Sequence, residues 1–256
     1  MLRYSLGFIS DEDLFAHVKE TVEKYRFRID LKKFNKNLID PIKLTFDSKI
    51  YAKPLDEIIE SEIIRQMDKS NTNHIGYFHQ NIFRYISEDW EVPSQGFDLI
   101  NKKEKIYVEM KNKHNTMNSS SAQKTYIAMQ SMILKGADIE CYLVEVIAKK
   151  SQNTPWKISL NSEPYSHDNI RRLSIDKFYE VVTGKEDAFK NLCEVLPQVL
   201  DDVISQVAVD TIDNSVFQEL ESISPNLLKS LYLLSFSKYN GFENFHLETP
   251  TQKEHI

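Results

Sequence analysis

Asp98, Glu109 and Lys111 are the residues whose types and spacing could do chemistry. Asp98 lies in a short apolar run, Phe97-Asp98-Leu99-Ile100, and Glu109 and Lys111 lie two apart in a second, Ile106-Tyr107-Val108-Glu109-Met110-Lys111. In a strand, residues two apart point to the same face. Glu109 and Lys111 would then share one face while Val108 and Met110 take the other, and a short hairpin would bring Asp98 beside them. Two carboxylates about 4 Å apart repel by roughly 4 kcal/mol at an effective dielectric near 20, so something must offset that cost. A divalent cation does so, and Mg2+ suits carboxylate, carbonyl and water oxygens. Asp98 and Glu109 would hold the metal, with the Met110 carbonyl completing its shell. Lys111 would orient or help deprotonate an attacking water, or neutralise a phosphate. The chemistry implied is phosphodiester hydrolysis by a metal-activated water. A bare Glu-x-Lys on a strand is more often a solvated ion pair, so the elements around it must carry the reading.

Those elements follow from periodicity. Residues 11–26 predict a helix through Leu14, Val18, Val22 and Tyr25, capped by Ser10 or Asp11. Residues 27–55 are mixed. Residues 55–68 predict a second helix, Asn71-Thr72-Asn73 interrupts, and residues 75–87 predict a third. Candidate strands follow at 97–101 and 105–112, with Trp90-Glu91-Val92 as a further edge strand. A helix over 119–134, ended by Gly136, leads to a buried strand at 140–148. Ser151 to Asp168 predicts an extended excursion. Helices are expected within 174–182, 185–207 and 214–236, with Pro197 kinking or dividing the second. No linker or repeat interrupts this order. One domain is expected over 1–256: a helical part at 1–72, a catalytic α/β core at 73–150 and a mostly helical part at 151–256.

Composition narrows the function classes. The six glycines form no nucleotide-binding loop pattern. No stretch resembles a signal peptide or a membrane span, which implies a cytoplasmic protein with no membrane partner. Cys141 and Cys193 are expected to be buried free thiols, and no close Cys/His pairs suggest a zinc site. The net charge of −6 argues against a generally basic surface. The distribution of charge points the other way. Residues 101–157 carry ten Lys against five Asp/Glu, whereas 191–228 carry seven Asp/Glu and no Lys or Arg. Such a chain can bind a polyanion on one face.

Asp98 … Glu109-Met110-Lys111, within a helix–strands–helix–strand order, resembles the PD-(D/E)xK nuclease core. The segments 73–80, 108–118 and 142–150 further resemble a group of type II restriction endonucleases that cleave GGNCC-like sites. The usual proline before the aspartate is replaced by Phe97, with Pro93 upstream. The resemblance implies a restriction-endonuclease-like α/β fold, a mixed central sheet flanked by helices, with additional N- and C-terminal helices. It assigns Asp98 and Glu109 to the metal and makes Lys111 the active-site lysine. Where many members of the fold carry an acid on the first core helix, Gln80 stands here as the fourth active-site residue, with Glu62 the alternative.

Asn112, Lys113, His114, Asn115 and Asn118 follow the catalytic strand, and Gln123 and Lys124 open the next helix. Asn and Lys bond base edges or phosphates, so these residues are candidates for DNA contact; a polar turn with a helix cap is the alternative. His79 and His114 are possible proton carriers or hydrogen-bonded structural residues. Lys149-Lys150 and Arg171-Arg172 are phosphate contacts or solvated charges, and Trp90 and Trp156 are packing residues. The resulting expectation is a Mg2+-dependent type II restriction endonuclease that cuts both strands of double-stranded DNA at a short palindrome. Two-fold symmetry of such a site implies a homodimer, and a cognate DNA methyltransferase would protect the same site. The alternatives are a structure-specific repair nuclease on the same core and a non-catalytic DNA-binding protein.

Overall fold

The computed structural model describes residues 4–160, 162–207 and 213–247. The chain begins with α1 (Asp11–Lys24), β1 (Arg28–Ile29), α2 (Leu31–Asn35), α3 (Pro41–Ile50), α4 (Leu55–Asn81) and α5 (Phe83–Ile86). The central part holds β2 (Trp90–Glu91), β3 (Leu99–Asn101), β4 (Ile106–Lys113), α6 (Ser119–Ile133) and β5 (Glu140–Ile147). Then come β6 (Asn153–Pro155), β7 (Ile158–Leu160), β8 (Glu163–Tyr165), β9 (Ile170–Ser174), α7 (Ile175–Thr183) and α8 (Ala188–Ile204). The last elements are β10 (Asp213–Asn214), α9 (Val216–Ile223) and α10 (Leu227–Phe236). They form two compact units: Met1–Lys24 with Asn73–Ala208, and Tyr25–Thr72 with Val209–Ile256.

The first unit is built on a six-stranded mixed sheet, ordered β2-β3-β4-β5-β9-β6. The β2–β3, β3–β4 and β9–β6 pairs are antiparallel, while β4–β5 and β5–β9 are parallel. This is the mixed sheet flanked by helices that the sequence implied. Strand β4 alternates as its residue types require. Ile106, Val108 and Met110 are buried, whereas Tyr107, Glu109 and Lys111 are half-buried on the other face. The Val108 face joins Tyr142, Val144 and Leu173 in a core with Leu14 of α1, Phe178 of α7 and Leu192 of α8. On the opposite face, Cys141, Leu143 and Ile170 pack under Tyr126 and Met129 of α6, beside Trp156. Trp90 and Trp156 are buried packing residues, as expected. The second unit has its own core of Phe34, Ile59, Ile63, Val216, Leu220 and Leu231.

Several expectations are corrected. Asn71-Thr72-Asn73 does not interrupt a helix, because α4 runs through it. Asn and Thr cost only a few tenths of a kcal/mol each in a helix, and the Asn71 Oδ1 accepts from the Arg26 N–H at 2.9 Å instead of capping. The mixed stretch 27–55 contains α2 and α3, each capped by an aspartate, Asp30 and Asp40, whose side chains accept from helix N–H groups; Pro41 opens α3. Pro197 lies inside α8 without dividing it, since buried Leu192, Val199 and Val203 hold both halves on the core. Arg171 and Arg172 lie on β9, a strand that periodicity alone did not predict. Of the two thiols, Cys141 is buried as expected, but Cys193 is exposed on α8.

Candidate active site

The β3–β4 hairpin delivers Asp98 to Glu109. Leu99 pairs with Val108 in antiparallel register. Asp98 precedes Leu99 and Glu109 follows Val108, so the two carboxylates come opposite each other on one face. Asp98 is pinned by its own hairpin, since its Oδ2 accepts from the Met110 N–H at 2.8 Å. The Lys111 ammonium donates to Glu109 Oε1 at 2.6 Å, with both side chains less than one-third exposed. Gln80, near the end of α4, hydrogen-bonds Asp98 through its side chain. The structure thus brings together four of the residues singled out from sequence. Glu62 belongs to the second unit, where Arg65 (2.6 Å) and Gln66 (3.0 Å) take up its carboxylate.

Both carboxyls are pushed above their ordinary range. For Asp98, burial raises the pKa more than the Met110 N–H, Lys111 and Gln80 lower it. For Glu109, burial is again the main cause; the Lys111 hydrogen bond opposes it and the charge of Asp98 adds to it. Two half-buried carboxylates on one face, with the Lys111 ammonium beside them, leave a negative site that a cation would stabilise. Among the described residues no three His, Cys, Asp or Glu side chains cluster as a metal site. The oxygens brought together here are instead those of two carboxylates and the Gln80 amide. That all-oxygen set fits a hard divalent cation, whose remaining ligands would be water or phosphate oxygens.

The loop leading to Asp98 turns at Gly96, whose φ is +95° and whose absent Cβ would meet nothing within 4 Å. Gly96→Ala is therefore expected to cost about 1–3 kcal/mol through backbone strain alone. A urea midpoint indistinguishable from wild type would contradict this.

The remaining candidates separate by face. Lys113 is exposed on the side of Lys111, whereas Asn112 turns to the other side, its amide lying where a Cβ on Gly76 would meet it at 3.3 Å. Asn115 is exposed in the left-handed region, φ +54°. Asn118 caps α6 by accepting from the Ser121 N–H at 2.8 Å. Gln123 donates to the Ser159 carbonyl at 3.1 Å, and Lys124 is exposed. His79 packs against Phe78 with its ring edge-on, away from the carboxylates' hydrogen bonds.

His114 is turned inward, where sequence reasoning missed its partner. Its Nδ1 lies 2.9 Å from Glu145 Oε2 and 2.8 Å from Arg172 Nη2, and Arg172 also pairs with Glu145. One nitrogen cannot donate to the carboxylate and accept from the guanidinium at once. With Glu145 ionised, the protonated Nδ1 donating to it is the favourable arrangement. Glu145 has a side-chain exposure of 2%. Burial pushes its pKa up, but the hydrogen bonds and charges of Arg172 and His114 outweigh that and hold it below the usual range. The signal in the sequence was a single carboxylate inside the apolar run 141–148; a buried polar residue is more informative than an exposed one. A larger cleft, about 690 Å³, lies in the second unit. The carboxylate that lines it, Glu219, is already taken by the Leu31 N–H and the Ser215 hydroxyl.

Residues 6–205 match the family described as Eco47II restriction endonuclease. The type II restriction enzyme Sau96I of Staphylococcus aureus is 36% identical over 211 residues, 78% of this chain and 81% of that enzyme. The type II restriction enzyme Eco47II of Escherichia coli is 32% identical over 214 residues, 78% of this chain and 89% of that enzyme.

Proposed function

The chain belongs to the Eco47II restriction endonuclease family, a family of type II restriction enzymes, and from that premise we propose that Asp98, Glu109 and Lys111 form its catalytic centre, with Mg2+ as cofactor. Restriction enzymes of this kind hydrolyse double-stranded DNA with a divalent cation. The single observation that carries the assignment is the hairpin register: it sets Asp98 opposite Glu109 and puts Lys111 on the same face. Asp98, Glu109 and the Met110 carbonyl would hold the metal. When bound, Mg2+ supplies a Lewis acid for the phosphoryl group and an acidified water.

The protein's own groups do the rest. The Met110 N–H and Gln80 lock Asp98 in one orientation, so the carboxylate need not reorganise when substrate arrives. The Lys111 ammonium, released from Glu109, would orient the attacking water or bear the charge growing on the phosphate. Lys113 and Lys124, exposed on or beside this face, would contact DNA, with Asn115 and Asn118 in the intervening loop. For Asn112, His114 and Gln123 the DNA role is indirect, through the loop and helix they hold. The substrate we propose is a GGNCC-like palindrome cut in both strands, which requires two copies of the site and hence a homodimer. A methyltransferase modifying the same sequence would protect the host, and both would act in the cytoplasm. No helix among the described residues is long and apolar enough to cross a membrane.

Digestion of a DNA of known sequence with Mg2+, followed by sequencing of the fragment ends, tests the proposal. Discrete ends within one palindromic sequence are expected. Ends at flaps or junctions, or no Mg2+-dependent ends at all, would reject it.

A further inference from the structure

Arg171 and Arg172 are adjacent in sequence, and β9 sends them to opposite faces. Arg171 is occupied at the sheet edge: its Nε donates to Asn153 Oδ1 at 2.6 Å, its Nη2 to the Asn153 carbonyl at 2.8 Å and its Nη1 to the Asp168 carbonyl at 3.2 Å. Arg172 lies on the catalytic face. Glu109 pairs with Leu143, and Leu143 pairs with Arg172, so the three stand in one row across β4, β5 and β9. Two strand spacings separate β4 from β9, roughly 10 Å at the backbone, which long side chains can close from both ends. They do close: Arg172, Lys111, Lys113, Asn115, Glu145 and Trp156 line one cleft of about 70 Å³.

Lys111, Lys113 and Arg172 therefore line, with the Glu145 carboxylate, a cleft that shares Lys111 with the catalytic centre. The Arg172 Nη2 is held by Glu145 and reaches Asn115 Oδ1 at 3.4 Å. Its Nε is buried and has no hydrogen-bond partner among the described residues. With Nε buried and Nη2 held by Glu145, an anionic oxygen entering the cleft would meet the guanidinium on the side that lines it with Lys113. The ligand class is set by position, since whatever enters lies next to the phosphate under attack.

We propose that Arg172, together with Lys113, binds a DNA backbone phosphate neighbouring the scissile one, and that Glu145 is the positioning residue that aims the guanidinium. This rests on the catalytic reading of Asp98, Glu109 and Lys111. The charge of Glu145 also explains why the arginine is needed there. Without Arg172, the buried carboxylate would keep only the His114 Nδ1 as its partner.

The test is fluorescence anisotropy of a labelled duplex containing the sequence the enzyme cuts, in EDTA, over a series of KCl concentrations. For Arg172→Gln, the slope of log K against log[KCl] is expected to flatten by about 0.9 per protomer, the loss of one phosphate contact. Arg172→Lys should keep the wild-type slope because it keeps the charge, and Arg171→Gln should change nothing. An Arg172→Gln protein with the wild-type slope overturns the proposal, even if its melting temperature has fallen. Should that variant not fold, wild-type protein is titrated against duplexes carrying one neutral methylphosphonate at a time. A position beside the cut must weaken binding, and the absence of any such position overturns the proposal equally. Mg2+-dependent cleavage of the same duplex by wild-type protein is measured alongside. Cutting with an unchanged slope removes only the role of Arg172, whereas failure of wild-type protein to cut removes the catalytic reading beneath it.

Discussion

Lys111→Ala and Glu109→Gln are each expected to slow cleavage of a cognate plasmid by about 10³-fold or more, while DNA binding in EDTA stays within a few-fold of wild type. A factor of 10³ corresponds to about 4 kcal/mol of transition-state stabilisation. That is the size expected when a preorganised charge at the reacting phosphate is lost. The two variants fail for different reasons. Lys111→Ala removes the ammonium that bonds Glu109, so the water loses its orienting donor and the phosphate its counter-charge. Glu109→Gln removes one of two facing carboxylates, and with it half of the anionic metal donors. Because Glu109 is raised by burial and by Asp98, replacing it with a neutral isostere should leave the melting temperature unchanged or higher. Inactivity without destabilisation marks a residue kept for chemistry at the expense of stability. Gln80→Ala should be milder, about tenfold, since the Met110 N–H still holds Asp98. Normal cutting by purified Glu109→Gln would end the proposed mechanism.

Acidification should destabilise the first unit through histidines that lie outside the proposed catalytic centre. The His79 pKa is lowered to about 4, first by burial and then by the charge His17 would carry. His17 is lowered too, chiefly by burial, although its Nε2–H donates to the Phe78 carbonyl at 2.9 Å. The Nδ1 atoms of both rings are buried without a hydrogen-bond partner among the described residues, so a proton added there finds no acceptor. In the unfolded chain histidine titrates near 6.5, whereas folded His79 resists protonation down to about 4. The stability it contributes is therefore full above about pH 6.5, lost as pH falls, and gone below about 4; the loss is about 2 kcal/mol by pH 5 and about 3 in all. His17 acts in the same direction. Asp98 and Glu109 act in the opposite one, because a carboxyl with a raised pKa gains stability when protonated. His79→Leu isolates the histidine. Its urea midpoint should fall less between pH 7.5 and pH 5 than that of wild type. An equal fall in both proteins would show that His79 is not the source.

Much of the candidate site was legible because strand periodicity is strict. Alternation along Ile106–Lys113 fixes which side chains share a face without any knowledge of partners, and Leu99 and Val108 needed only a short turn to register. The aspartate caps of α2 and α3 were legible too and went unread, because their short apolar faces gave no periodic signal. The continuity of α4 through Asn71-Thr72-Asn73 was not legible. Weak local propensities are overruled by packing, and only the Arg26 backbone shows what Asn71 does instead.

What the sequence determined by itself was the identity and order of the groups proposed for catalysis: Asp98, then Glu109 and Lys111 two apart. Those depend on local spacing, which a single strand imposes at every position. What only the tertiary structure decided was which distant side chains join them. Gln80 reaches Asp98 from the end of a helix, the Glu62 carboxylate is taken by Arg65 and Gln66, and Arg172 rather than Arg171 lines a cleft with Lys111. That choice follows from β9 lying parallel to β5 in a register that puts Arg172 opposite Leu143. A shift of one residue would have exchanged the two arginines between the faces of the sheet. Register between strands distant in sequence is set by the burial of Leu173 and Ile170 on opposite faces, an energy that exists only once the sheet is assembled.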